Sequence, residues 1–204
     1  ALAAPSFFGT TGLIYVPTDG HLQAGGFSAN FHSVDTAGDN LDVLGANVGL
    51  TDNLEIGVAR LDSGGGQETI LNGKYSILEE TASRPSFLIG VLDAGGNLDA
   101  DDDPGFYLVL GKNLTSVAAS VSGEPVRPIR GYLGIGTGFF DGLFAGAEWS
   151  FSDKATLMAE FVDAGNSTFN AGVRFAISGG VRADLAFIDA EDLGFGISYT
   201  KLGL

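Results

Sequence analysis

The sequence contains no cysteine, so it can form neither a disulfide nor a thiolate metal site, and the absence fits an oxidising envelope compartment. Cations are scarce: ten Lys and Arg stand against 25 Asp and Glu, for a formal net charge of −15. A basic nucleic-acid footprint is therefore missing, and a chain so acidic repels nucleic acid and bare anionic membrane surfaces. No stretch of 18 consecutive apolar residues occurs, which leaves no transmembrane helix. Yet hydrophobic residues make up 45% of the chain and the mean hydropathy is +0.23. High apolar content without a helical span implies either a soluble β core or a lipid-facing band spread over many strands.

What the sequence has instead is glycine, 32 residues of it, and a period of two. Leu143, Ala145, Ala147, Trp149 and Phe151 share one face, with Phe144, Gly146, Glu148 and Ser150 on the other. The same rhythm carries Phe169, Ala171, Val173, Phe175 and Ile177 against Asn170, Gly172, Arg174 and Ala176, and Leu193, Phe195, Ile197 and Tyr199 against Gly194, Gly196, Ser198 and Thr200. Strict alternation marks strands with two chemically different faces. The pattern predicts twelve strands, near 27–34, 41–50, 54–62, 68–78, 85–92, 105–115, 127–139, 143–151, 155–163, 168–177, 181–188 and 193–202. Most match the roughly 9–11 residues that a tilted strand needs to cross a bilayer.

A hairpin repeat supports this register: Asn47–Gly64 aligns without gaps on Glu148–Gly165, and Arg174–Asp189 follows the same plan. Each unit has a short turn, an alternating strand, and an apolar residue followed by Asp, as in Leu61-Asp62, Leu92-Asp93, Val162-Asp163 and Ile188-Asp189. One end of the predicted barrel thus collects aspartates, with a long acidic loop near 93–104. The other carries the turns Thr51-Asp52-Asn53, Ser152-Asp153-Lys154 and Ser178-Gly179-Gly180, with Arg84, Arg127, Arg130, Lys154 and Lys201. Short turns are periplasmic in outer-membrane barrels and longer loops are external, so both termini are expected in the periplasm. The segments Thr115–Val126, too long for a tight turn, and Phe106–Leu114, apolar on both faces, leave their register open. Arg60 falls on the apolar face, to be explained by a rim position or a bulge.

The sense of the alternation separates a membrane barrel from a soluble one. A soluble barrel points its large apolar residues inward. Here the inward set includes Glu55, Lys74, Glu148, Glu160, Arg174, Arg182 and Asp184; such a set is costly in a dry core unless fully paired, and cheap against a wet lumen. The fold expected is all-β, a single antiparallel up-and-down transmembrane barrel of about twelve strands over 27–204. Residues 1–26 would form a separate segment, a lumen plug using Leu13, Tyr15 and Pro17, a periplasmic strap or an extra strand. The opening Ala1-Leu2-Ala3-Ala4-Pro5 reads as the small-residue end of a processed secretory signal.

The run Gly9-Thr10-Thr11-Gly12-Leu13-Ile14-Tyr15-Val16-Pro17-Thr18 resembles the start of YjbH-type outer-membrane proteins. The stretches Leu143–Trp149, Ala159-Glu160-Phe161 and Asn170–Phe175 look similar as well, so the resemblance covers the first tenth and the last third of the chain. It implies an outer-membrane barrel associated with exopolysaccharide or capsule secretion. Asp192-x-Gly194-x-x-Ile197-x-Tyr199 resembles the C-terminal insertion signal of outer-membrane barrels, without the usual terminal aromatic.

Three groups of residues invite a functional reading. Glu55, Lys74, Glu148, Glu160, Arg174, Arg182 and Asp184 would form either a solute-selecting constriction or a cross-strand network that keeps a narrow lumen filled. Asp99, Asp101 and Asp103 alternate like the start of a calcium loop, but Gly105 comes one place late and Leu110 stands where the bidentate Glu belongs; a solvated acidic loop is the plainer reading. The histidines, His21 and His32, offer no catalytic base: His32 adjoins Ser33, but neighbours on a strand face opposite sides. The glycine run Gly64-Gly65-Gly66 precedes no helix and is a loop. The sequence therefore predicts a non-enzymatic barrel without cofactors. It would be a narrow pore or an accessory protein in exopolysaccharide export, and its partners would be outer-membrane lipid, lipopolysaccharide, polysaccharide or secretion-system components. The alternatives are a structural barrel that self-associates into a filament, sheath or surface array, and a soluble binder.

Overall fold

A computed structural model describes residues 3–36, 38–98, 101–115, 126–164 and 166–203. Twelve strands follow one another: β1 Phe27–Thr36, β2 Asp39–Gly49, β3 Leu54–Ser63, β4 Gly66–Leu78, β5 Ser86–Leu92 and β6 Gly105–Asn113, then β7 Ile129–Gly136, β8 Gly142–Trp149, β9 Ala155–Ala164, β10 Asn166–Ser178, β11 Val181–Ile188 and β12 Asp192–Lys201. Each pairs antiparallel with its sequence neighbours, and β1 closes on β12 from Phe27↔Lys201 to Asp35↔Leu193, so the sheet is a closed up-and-down barrel. Closure leaves no unpaired edge, which is what lets a sheet stand in a medium without hydrogen-bonding solvent.

The outer face is apolar on every strand. Leu44, Leu71, Phe106, Leu133, Leu143, Phe169, Phe187 and Ile197 are all exposed. The ambiguous stretch after Gly105 falls into register with Phe106, Leu108 and Leu110 outward and Tyr107 and Val109 buried. Arg60 lies in an unbroken ladder between Leu54↔Tyr75 and Ser63↔Gly66. No bulge resets it; its guanidinium stays exposed near the strand end and bonds Gln67. Strand β7 is shorter than the expected 127–139. Gly138, at φ +55, starts a 3-10 turn, Gly138–Phe140, that drives Phe140 into the interior.

The end bearing the aspartates (the loop end) carries the junctions β1–β2, β3–β4, β5–β6, β7–β8, β9–β10 and β11–β12; the other (the turn end) carries β2–β3, β4–β5, β6–β7, β8–β9 and β10–β11. The expected contrast of long loops against tight turns does not hold at β4–β5, whose connection, 79–85, sits at the turn end; of the Thr115–Val126 segment, 116–125 lies outside the described residues. Among the tight connections, Gly179-Gly180 at φ +56 and +90 has the backbone of a two-residue hairpin turn that side chains resist.

The interior also departs from the expected wet, polar lumen. Towards the loop end the inward residues are apolar: Val34, Leu61, Ile70, Leu92, Phe144 and Val162 are buried in one cluster with Phe7, Phe8, Leu13, Ile14 and Val16. The N-terminal residues supply that packing. Residues 3–22 enter at the turn end, where Ala3 shares a cavity with Leu202 and Gly203. They make two tight reversals, closed by Ser6 N–H to Thr10 O (2.7 Å) and Leu13 N–H to Val16 O (2.9 Å), and leave beside Arg130 at Asp19. Two glycines of β12 make room for rings: a Cβ on Gly194 would meet Phe7 at 2.6 Å, and one on Gly196 would meet His32 at 1.9 Å.

Candidate functional site in the barrel interior

Residues 3–22 run inside a closed sheet, so most of their backbone groups have no ladder to join. The barrel answers them by sign. Glu160 of β9, fully inward, accepts the consecutive N–H groups of Ile14 (3.2 Å), Tyr15 (2.8 Å) and Val16 (3.0 Å), and Nδ2 of Asn170 (2.8 Å). Glu55 of β3 accepts Thr11 N–H (2.9 Å), the Thr11 hydroxyl and Leu22 N–H (2.8 Å). Carboxylates thus take the donors, and cations take the carbonyls. Lys74 of β4 donates to Thr11 O (2.7 Å), Thr18 O (3.2 Å) and Gly20 O. Arg174 of β10 donates to Gly12 O (2.9 Å), Pro5 O (3.0 Å) and Leu13 O (3.1 Å), and its Nε and Nη2 meet Asp184 of β11 at 2.8 and 3.0 Å. Buried backbone groups demand partners, and charge-assisted bonds are the stronger kind.

Nearer the loop end the partners are neutral. Asn47 donates to Gly9 O and Asn72 to Phe8 O (2.8 Å). Phe8 stacks on Tyr15 at 4.9 Å, both rings meet Phe139 edge-on, and Phe140 packs on Phe144 at 4.8 Å. His32 is buried against Phe7, rings 4.2 Å apart, with Asn30 at 3.0 Å from Nδ1 and Asp184 at 3.3 Å from Nε2. It serves the packing of Phe7; Ser33 bonds Asp42 instead.

At the turn end Asp19 accepts from Arg130 and from the Ser86 hydroxyl (2.7 Å). Arg130 also reaches Glu80 at 2.8 Å, and Lys112 lies 3.3 Å from the same carboxylate. Burial pushes the Glu80 carboxyl up, but the Asn113 N–H, Arg130 and Lys112 outweigh it and hold its pKa below the ordinary value.

Of the seven inward charges singled out in the sequence, only Arg174 and Asp184 meet as a direct ion pair among the described residues. Glu55 and Lys74 face each other in the β3–β4 register, yet both bind residues 11–22. Glu160 is likewise turned to the N-terminal segment, Glu148 accepts the Tyr132 hydroxyl (2.7 Å), and Arg182 lines a cavity at the turn end. A charge ladder across the strands is therefore not what forms: the segment at the centre offers unpaired backbone groups at hydrogen-bonding distance. Sequence reading missed Asn47, Asn72, Asp19 and Glu80, and placed Arg130 at the turn end without its partners. The asparagines had a signal, since each is a polar amide at an inward position of an alternating strand.

The acidic loop stays apart from this site. Asp101 and Asp103 are exposed, and Asp99 lies outside the described residues. Among the described residues no group of three or more His, Asp or Glu is arranged to hold a metal. Asp93 is buried at φ +56 and accepts the N–H of Gly95 (3.3 Å) and Leu98 (2.6 Å), shaping its own loop. Gly194 of the C-terminal pattern faces Phe7, while Ile197 and Tyr199 face outward. Tyr75, Trp149 and Tyr199 are exposed on the outer wall, and all three sit at the turn-end extremity of their strands, opposite Leu54, Ile129 and Val181. Amphipathic rings at one level are the mark of a membrane–water interface.

No family model matches the chain, and no curated protein matches it in sequence. Solved structures do. The KdgM porin aligns at TM-score 0.60 and 11% identity, over 84% of this chain and 98% of the porin. A KdgM porin in complex with disordered oligogalacturonate aligns at 0.57 and 10%, over 87% and 99%. The outer membrane protein Omp33 of Acinetobacter baumannii aligns at 0.53 and 12%, over 89% and 98%. None of the three is described as YjbH-type, and at such identity the likeness is one of fold: the chain has the barrel fold of outer-membrane porins.

Proposed function

We propose that this chain is an outer-membrane barrel closed by its own N-terminal segment, with both termini in the periplasm, and that it serves polysaccharide export as an accessory protein whose conduit opens only when that segment leaves. Residues 1–26 then act as a plug domain and 27–204 as the barrel. The observation that carries the reading is the bonding of residues 5–22 to Glu55, Lys74, Glu160 and Arg174 inside a wall whose outer face is apolar. An apolar exterior around a closed sheet calls for lipid, and a filled interior calls for a closed resting state.

The inward charges are holding groups in this state and would meet solute only after release. The YjbH resemblance supports the export role, and the porin bound to oligogalacturonate supports a carbohydrate ligand for a barrel of this shape. The test is planar-bilayer recording on the intact chain and on a form lacking residues 3–22. The intact chain should be silent and the shortened form should conduct. A steady open current from the intact chain would overturn the closed state, and unchanged surface polysaccharide in cells lacking the protein would overturn the export role.

A further inference from the structure

The turn end of the interior holds a polar cavity of about 440 Å³ that the N-terminal segment leaves open. Arg127, Arg130, Lys154, Arg174 and Arg182 line it, with Glu148 and Asp153 as the acidic groups. In a chain of net charge −15, five cations around one cavity form a local field opposite to that of the molecule, and walls of low dielectric concentrate it.

Three of the five are already engaged: Arg127 by Asp153 at 2.9 Å, Arg130 by Asp19 and Glu80, and Arg174 by Asp184 and three carbonyls. Lys154 and Arg182 form no ion pair among the described residues. Both lie beside the small side chain of Ala176, which faces Arg182 in the β10–β11 register and whose N–H bonds Lys154 O at 2.8 Å. Arg182 is only 7% exposed, and its Nη1 has no hydrogen-bond partner among the described residues. Its register neighbour on β12, Ser198, is 3% exposed with an equally unpartnered hydroxyl. Asp184, two residues along the same strand, attracts Arg182, but both of its oxygens are already held by Arg174, and the planar donors of a buried guanidinium match an oxyanion.

We infer that this cavity binds a compact oxyanion, the carboxylate of a sugar acid or a phosphate group, between Arg182 and Lys154. The site stands on the turn-end geometry alone and is present with the N-terminal segment in place, so it does not rest on the conductance reading.

The experiment is calorimetric titration of the full chain, folded in a zwitterionic detergent at low ionic strength, with sodium galacturonate, inorganic phosphate and neutral galactose. Saturable one-to-one binding of galacturonate or phosphate, and none of galactose, is expected, weakening as salt is added. Arg182→Gln should weaken it roughly tenfold or more. Lys154→Gln, at an exposed turn position that leaves folding untouched, should weaken it less. Galacturonate bound well above phosphate would identify a sugar acid as the ligand, and equal binding would show that the oxyanion alone is read. Absence of saturable binding by the intact chain, or the same affinity in both variants, overturns the proposal.

Discussion

Towards the loop end the N-terminal segment sits among rings and aliphatic chains, with Phe7 on His32, Phe8 on Tyr15 and Phe139, and Phe140 on Phe144. Towards the turn end the same segment is held by Glu55, Lys74 and Arg174, and its exit by Asp19 on Arg130. The two regions seal one lumen by different physics. Dispersion and apolar burial hold the first, and neither depends on ionic strength or protonation. Charged side chains bound to backbone dipoles hold the second, and removing one leaves several buried groups unsatisfied at once.

The largest break in that comparison should come from Glu160→Ala, at the junction of the two regions. It orphans three backbone N–H groups and the Asn170 amide, and an expected loss of about 3–5 kcal/mol follows. Denaturant unfolding measures it, and limited proteolysis should then cut residues 3–22 while the barrel stays folded; an uncut segment would mean that the aromatic region suffices. Next, Phe7→Ala should cost about 3 kcal/mol by leaving a cavity beside Gly194 and His32. Unlike the change at Glu160, it should leave the salt dependence of unfolding as it was.

A smaller effect is expected at the turn-end clasp. The Glu80 carboxyl is held below its unfolded pKa, so its contribution is fully present above the unfolded value and is lost as pH falls through the lower folded one. Part of the carboxylate is solvated, so the contribution is under about 1 kcal/mol and shrinks with salt. Unfolding measured between neutral and acid pH should lose that increment in wild type, and Glu80→Gln should lack it at every pH. The smallest effect belongs outside both regions: Arg60→Ala, at an exposed outer position, should stay within about 0.5 kcal/mol. A larger loss would place Arg60 in an outer contact that its bond to Gln67 does not reveal.

The alternation of Leu143 through Phe151 and of Leu193 through Tyr199 was legible because period two is a property of neighbouring residues, and an outer face that is apolar throughout leaves a plain imprint. The inward places of Glu55, Lys74, Glu160 and Arg174 were legible for the same reason. Their partners were not. Glu160 binds residues 14–16, far along the chain, and no local pattern encodes a bond to a backbone N–H. Phe106–Leu114 was ambiguous because Tyr107 and Val109 face a packed interior while Phe106 and Leu108 face outward; two apolar surroundings erase the contrast on which a face is read.

By itself the sequence determined the strand number, the faces outside Phe106–Leu114, the antiparallel order and the gathering of aspartates at one end, since each follows from spacing along the chain. Only the tertiary structure decided that residues 3–22 lie within the barrel, that most of the inward charges answer backbone groups instead of one another, and that Arg182 faces a cavity with its Nη1 unpartnered among the described residues. Those outcomes depend on which unpaired donor, acceptor or void a side chain meets across the lumen, and that is fixed only when the sheet closes.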